Sequence, residues 1–128
     1  MSHFSSIKTK LVKKEHLVQA LRDLNYQPIE GNVEIRGFSG QRTAVEVMIH
    51  TKNPGYDLGF RKAGDTYELV ADWYGIHDIN QKTFLNQVQQ KYAYRAVMSR
   101  MKEQGFEAVE EKNTQDNTIH ITLRRTVF

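Results

Sequence analysis

The tightest constraint on the fold is a run of three alternating segments joined by very short turns. Thr43 to His50 sets Val45, Val47 and Ile49 on one side. Tyr56, Leu58 and Phe60 alternate in the next segment, and Tyr67, Leu69 and Ala71 in the third. Asn53-Pro54-Gly55 and Ala63-Gly64-Asp65 separate them. A period of two is the strand period. Parallel neighbours need a crossover of roughly a dozen residues, so strands joined this closely form an antiparallel meander.

The remaining elements gather round that meander. His3 to Leu11 alternates, with Ile7, Thr9 and Leu11 against Lys8 and Lys10, and reads as a half-buried strand. Residues 13–25 carry Leu17, Val18, Leu21 and Leu24 at helical spacing, and Asn25 and Pro28 stop that helix. Gly31 to Gln41 is a glycine-punctuated connection with a short strand at Val33 to Arg36. Asn80 caps a second helix that runs to about Gln104 and ends at Gly105. Phe106 to Glu110 and Thr118 to Arg124 close the chain as a hairpin around Asn113 to Asn117.

The expected fold class is therefore α+β, an antiparallel sheet of about six to seven strands with two helices on one face. The 128 residues predict a single domain, 1–128. A weak internal echo points to a duplication. Setting Tyr26 on Phe106 brings Leu17, Val18 and Leu21 onto Val97, Met98 and Met101, and Ile29 and Glu30 onto Val109 and Glu110.

Composition removes several chemistries. There is no cysteine, so disulfides, thiolate metal sites and thiol nucleophiles are excluded. The five histidines form no HExxH or similar ligand spacing, so neither a metal nor a cofactor is expected. No apolar run approaches the roughly 18 residues of a membrane span, and the first ten residues lack the apolar core of a secretory signal. The net charge of +3 is uneven: residues 1–62 carry ten Lys and Arg against six acids, residues 63–128 eight against nine. Lys8, Lys10, Lys13 and Lys14 precede the first acid and form a basic patch suited to nucleic acid, although a solvated lysine face is the plainer reading.

The second helix is unusual because its apolar side changes midway. At about 100° per residue, Phe84, Leu85, Val88 and Tyr92 share one side, and Tyr94, Val97, Met98 and Met101 nearly the opposite one. One straight helix cannot lay both stripes on one sheet. The echo assigns the second stripe to the sheet and leaves Phe84, Leu85, Val88 and Tyr92 as a candidate surface for a partner protein or a second subunit. The alternative is that the chain itself covers them.

Other groups suggest chemistry more weakly. Arg36-Gly-Phe-Ser-Gly-Gln41-Arg42 is basic and glycine-rich, so Arg36, Gln41 and Arg42 form a candidate anion cradle or secondary contact, against the plainer reading of a turn. Asp57, Glu68 and Asp72 lie in neighbouring strands; Glu68 and Asp72 share strand parity and could form an acid pair or a cation site, or face solvent opposite Arg61 or Arg42. His77-Asp78 is a candidate dyad that a helix-entry loop explains equally well. Tyr56, Phe60, Tyr67, Trp73 and Tyr74 on a sheet could stack bases, without an RNP-type signature.

The segments MSHFSSIKT, RGFSGQ, YDLGF, YELVADWYG and QKYAY, in that order, resemble the Ycf35-like family of red-algal plastids and cyanobacteria, a domain of unknown function (DUF1257). The likeness runs from Met1 to about Arg125. It implies a small protein of the cyanobacterial cytoplasm or plastid stroma, with a supporting role such as regulation or assembly of another complex. It carries no catalytic residues across. The resulting expectation is a non-enzymatic interaction or regulatory protein. The alternatives are an RNA-binding module and a small anionic-ligand binder or enzyme.

Overall fold

The computed structural model describes residues 3–113 and 119–125. Along the chain lie β1 (Ser5–Lys8), α1 (Lys14–Asp23), β2 (Ile29–Arg36), β3 (Arg42–His50), β4 (Asp57–Ala63), β5 (Thr66–Ala71), α2 (Gln81–Glu103), β6 (Phe106–Asn113) and β7 (Ile119–Arg125). The class is α+β. The seven strands divide into a five-stranded antiparallel sheet, ordered β1-β5-β4-β3-β2, and a separate hairpin of β6 and β7. The expected turn of that hairpin falls largely outside the described residues.

The meander forms as the alternation requires. Val47 lies opposite Phe60 and Ile49 opposite Leu58, and Phe60 and Leu58 in turn face Leu69 and Ala71. The β3–β4 turn follows from its residues. Asn53 O accepts from Tyr56 N–H, proline supplies the second position, and Gly55 takes the third at φ 80°, where a side chain would be strained. Both helices cover this face: Leu17, Val18 and Leu21 of α1 and Phe84 and Val88 of α2 pack on Val47, Ile49, Leu58, Phe60 and Leu69 in one core. Asn80 caps α2 by accepting the Thr83 N–H at 3.0 Å.

A second, smaller core lies on the other face: Ile35, Val45, Met48 and Val70, with Phe4 and Val33 against them. Here the expectation that Val45 shares a side with Val47 and Ile49 fails, because β3 bends between Val45 and Val47. Arg36 is paired with Arg42, and Asp57 with His50. Eight residues of flat strand would hold those two rows roughly 26 Å apart. Instead the Arg36 side chain grips Asp57 directly. The far end of the β2–β3 hairpin has folded across the sheet. Gly59 makes room for it: a Cβ there would stand 2.7 Å from Val45 Cγ1 and 2.9 Å from Ile35 Cγ2. Each face of the main sheet thereby carries an apolar core.

The echo between the helices is real in backbone and absent in packing. Both helices end in left-handed backbone, at Asn25 and Gly105, followed by an aromatic residue and a strand. Yet Leu17 is 0 % exposed, and its counterpart Val97 is 46 % exposed.

Candidate functional site

Two constellations hold the polar side chains that the fold brings together. The first pins the folded-over hairpin. Asp57 is completely buried and accepts from the Arg36 backbone N–H at 2.8 Å, from Arg36 Nε at 2.9 Å and Nη2 at 3.1 Å, and from His50 Nδ1 at 2.8 Å. Burial pushes the Asp57 carboxyl up, but the hydrogen bonds from Arg36 and His50, with the Arg36 charge, hold it below the ordinary carboxylate range. Beside it Asp72, also buried, accepts from the N–H groups of Phe38 and Tyr74. Phe38 and Tyr74 meet edge to face at the surface.

This arrangement answers the expectation for Arg36, Gln41 and Arg42. The loop does cradle carboxylates, but they are the chain's own: Arg36 is spent on Asp57, and the Phe38 N–H on Asp72. Gln41 and Arg42 remain exposed. Glu68 and Asp72 do not form an acid pair. Glu68 takes Arg61 at 3.1 Å, and Asp72 is turned into the loop. His77 and Asp78 form no dyad either. Asp78 accepts from Lys52 N–H and Asn53 Nδ2, and His77 N–H donates to Asn53 Oδ1, which ties the β3–β4 turn to the entry of α2.

The second constellation is a groove of about 760 Å³ between the start of α1, the distal half of α2 and β6. Its walls include Met98, Phe106 and Ala108, with Lys13, Glu15, Lys102 and Glu103 around them. Arg95 stands in the same wall and holds Asp23 bidentately, at 2.8 and 2.5 Å, joining the two helices. His16 lines the groove at 8 % exposure, with its Nδ1 sealed and without a hydrogen-bond partner. Tyr92 packs edge to face on His16, and its hydroxyl accepts the N–H groups of Val12 and Lys13.

The partner-surface expectation for Phe84, Leu85, Val88 and Tyr92 is corrected by these positions. Phe84 and Val88 are 1 % and 0 % exposed within the main core, and Leu85 and Tyr92 pack against it half-buried. Phe84 is held between Tyr26 and Phe60. Of the stripe that was to rest on the sheet, Val97 is 46 % exposed, and Tyr94, Met98 and Met101 are half-buried without entering the main core. Lys8, Lys10 and Lys13 are exposed, and Lys14 lies 3.7 Å from Glu30. Of the aromatics proposed for base stacking, Phe60 and Tyr67 are buried, Tyr56 and Trp73 pack partly buried on the main core, and Tyr74 is exposed but rests edge to face on Phe38.

Comparison with known proteins agrees with the motifs. Residues 20–122 match the family described as "Protein of unknown function (DUF1257)". The chain belongs to the DUF1257 family. It is 35 % identical over 126 residues to a protein of Cyanophora paradoxa named "Uncharacterized protein ycf35", with 98 % of each chain covered. Proteins of the same name from Guillardia theta and Pyropia yezoensis are 35 % and 30 % identical over 128 residues, again with 98 % of each chain covered. No solved structure matches. Among the described residues no helix is long and apolar enough to cross a membrane.

Sequence reasoning missed His16, which carries only a faint signal, a polar residue beside Leu17 and Val18 on the buried side of α1. It placed Asp57 in a strand neighbouring those of Glu68 and Asp72, but not with Arg36 and His50, because those partners come from a fold-over that alternation does not encode.

Proposed function

We propose that this DUF1257 protein is a non-enzymatic interaction protein whose working face is the distal half of α2 with the β6–β7 hairpin, and that its partner is a protein with an acidic, apolar-centred face. One observation supports this above the others: no residue of α2 beyond Val88 is fully buried, and Val97, 46 % exposed, has the half-buried Met98 and Met101 beside it on the same stretch of helix. Apolar side chains gathered in one surface patch, rather than scattered singly, mark a contact surface. Charge selects the partner's sign. From Lys91 to Gln104 the helix carries Lys91, Arg95, Arg100 and Lys102 against Glu103 alone. The expected place of action is the cyanobacterial cytoplasm or plastid stroma, in support of another complex.

Affinity capture from native lysate tests this with wild type, the Val97→Glu/Arg100→Glu variant and a Lys8→Glu/Lys10→Glu control, each followed by reconstitution of the captured protein in purified form. The wild type and control should hold the same acidic partner at 1:1, less tightly as salt rises, and the face variant should lose it. Equal capture by all three would refute the reading. A complex that nuclease dissolves and the Lys8/Lys10 changes abolish would replace it with nucleic-acid binding.

A further inference from the structure

We infer that the outer edge of β1 is a dimerisation strand, which pairs antiparallel with β1 of a second copy of this chain about a two-fold axis at Ile7. It stands apart from the face proposed above, because it uses the first turns of α2 and not the distal half.

The five-stranded sheet has two edges, β1 and β2. The β2 edge is blocked. Asp57 already takes the Arg36 N–H, and a bulge between Glu30 and Val33 breaks the ladder. The β1 edge is open. Residues of an antiparallel strand alternate between bonding one neighbour and the other. Thr9 N–H bonds Tyr67 O of β5, so Ile7 and Ser5, opposite Leu69 and Ala71, also bond inward. The N–H and C=O groups of Ser6 and Lys8 therefore point away from the sheet. No described group meets them, and both residues are exposed. The strand is nevertheless held at both ends. Phe4 packs on the smaller core, and Thr9 Oγ1 donates to Tyr67 O at 2.6 Å. An edge already fixed in strand geometry loses little conformational entropy on pairing.

The side chains select a second copy and its register. Outward-bonding residues must meet outward-bonding ones, so the axis can fall at Ser6, Ile7 or Lys8. At Lys8, two like charges would stand directly opposite, which is destabilising. At Ser6, each Ile7 would face the exposed Ser5. At Ile7, each Ser6 exchanges both of its backbone hydrogen bonds with Lys8 of the other copy. The two Ile7 side chains then form a non-hydrogen-bonded pair, the closer of the two kinds. Each Lys8 keeps Glu68 of its own β5 opposite it, an acid that offsets the approach of the two lysines.

Ile7 also has apolar surface to cover. It lies opposite Leu69, on the helix-bearing face of the sheet, yet it is half-buried and outside the main core. Ile7 and Leu85 line a notch of about 440 Å³ beside Asn80, Gln81 and Lys82. The axis brings the two notches together, so Ile7 and Leu85 of both copies close on one another as a small apolar centre with a polar rim.

The absence of cysteine makes the test direct, because a single introduced cysteine can form a disulfide with a second copy and with nothing in its own chain. Ile7→Cys should be cross-linked by diamide as a dimer, since a non-hydrogen-bonded pair holds its Cα atoms at about 4.5 Å, inside disulfide range. Ser5→Cys, on the same face but away from the axis, and Val97→Cys, on the face proposed above, should cross-link at least ~10-fold more slowly. The wild type should show a reversible monomer–dimer equilibrium in sedimentation over roughly 10 µM to 1 mM, as a small interface implies. Ser6→Pro removes an N–H that the fold leaves unbonded, and proline is tolerated at a sheet edge. Its melting temperature should therefore hold while the dimer weakens at least ~10-fold. Ile7→Cys linking no faster than Ser5→Cys or Val97→Cys, a wild type still monomeric at the top of that range, or a folded Ser6→Pro that dimerises like wild type would each overturn the inference. If Ser6→Pro does not fold, the cross-linking order decides alone.

Discussion

The two halves of α2 are one continuous helix with opposite fates. The first half, Gln81 to Gln90, begins with a side-chain cap at Asn80 and drives Phe84 and Val88 into the main core. The second half, Lys91 to Glu103, has no fully buried residue, and reaches past the five-stranded sheet to meet the β6–β7 hairpin. The difference lies in what each half finds beneath it. The first half lies over a sheet whose strands present Phe60, Leu58 and Leu69. The second leaves the sheet behind and is held by the Arg95–Asp23 ion pair to α1 and by a two-stranded hairpin, an element that is at best marginally stable alone. Stability should therefore be concentrated in the first half, and adaptability to a partner in the second.

The comparison is sharpest at Phe84. Phe84→Ala removes a ring packed between Tyr26 and Phe60 and should cost about 3–5 kcal/mol in urea unfolding. A loss of under about 1 kcal/mol would mean that the first half is not the anchor described here. Asp57→Ala should cost about 3 kcal/mol, at the low end for a broken buried pair because the Arg36 side chain is 38 % exposed and can turn to water. Its pH dependence follows from the lowered Asp57 carboxyl. A carboxyl held below its unfolded value of 3.8 contributes stability that is present above about pH 4 and is lost as pH falls through the folded value. The wild type should lose stability more steeply than Asp57→Ala below pH 4. Parallel curves would remove the carboxylate's role. Gly59→Ala should cost about 1–3 kcal/mol, since its methyl meets Val45 and Ile35 in the fold-over. Tyr92→Phe, at the junction of the two halves, deletes the acceptor for two N–H groups and should cost about 1 kcal/mol by thermal melting, while raising amide exchange at Val12 and Lys13.

The parts legible in the sequence are those set by local period and turn chemistry. The meander, both helices, the Asn80 cap and the C-terminal hairpin follow from spacing alone. Three things were not legible. The bend of β3 between Val45 and Val47 leaves an unbroken alternating pattern behind it, so Val45 reads as a neighbour of Val47 and Ile49. The division of seven strands into five and two depends on where α2 carries the chain, which periodicity does not fix. Likeness to α1 assigns the wrong apolar stripe of α2 to the sheet, since it is Phe84, Leu85, Val88 and Tyr92 that pack on the main core. The deciding quantity was distance along the helix: only its first turns lie over the meander. The Arg36–Arg42 loop reads in sequence as a candidate anion cradle, but the carboxylates that Arg36 and Phe38 meet, Asp57 and Asp72, lie 21 and 34 residues further along the chain and become neighbours only through the fold-over.

The smallest expected effect is the one that separates a contact surface from an imperfect core. Val97→Ser replaces an isopropyl group with a hydroxyl on a side chain already 46 % open to water, so little hydrophobic burial is lost and the new polar group can stay hydrated. The melting midpoint should shift by no more than about 0.5 kcal/mol in equivalent free energy. Amide exchange should nevertheless be faster in the hairpin and the distal helix than in β3, β4 and β5 before any substitution, because local opening there exposes little apolar surface. Addition of the partner should slow exchange in that region for wild type and much less for Val97→Ser. If Val97→Ser instead cost 2 kcal/mol or more, the side chain would be sealed in solution, the second half of α2 would be core like the first, and the face available to a partner would have to be sought at the Phe38–Tyr74 end of the sheet.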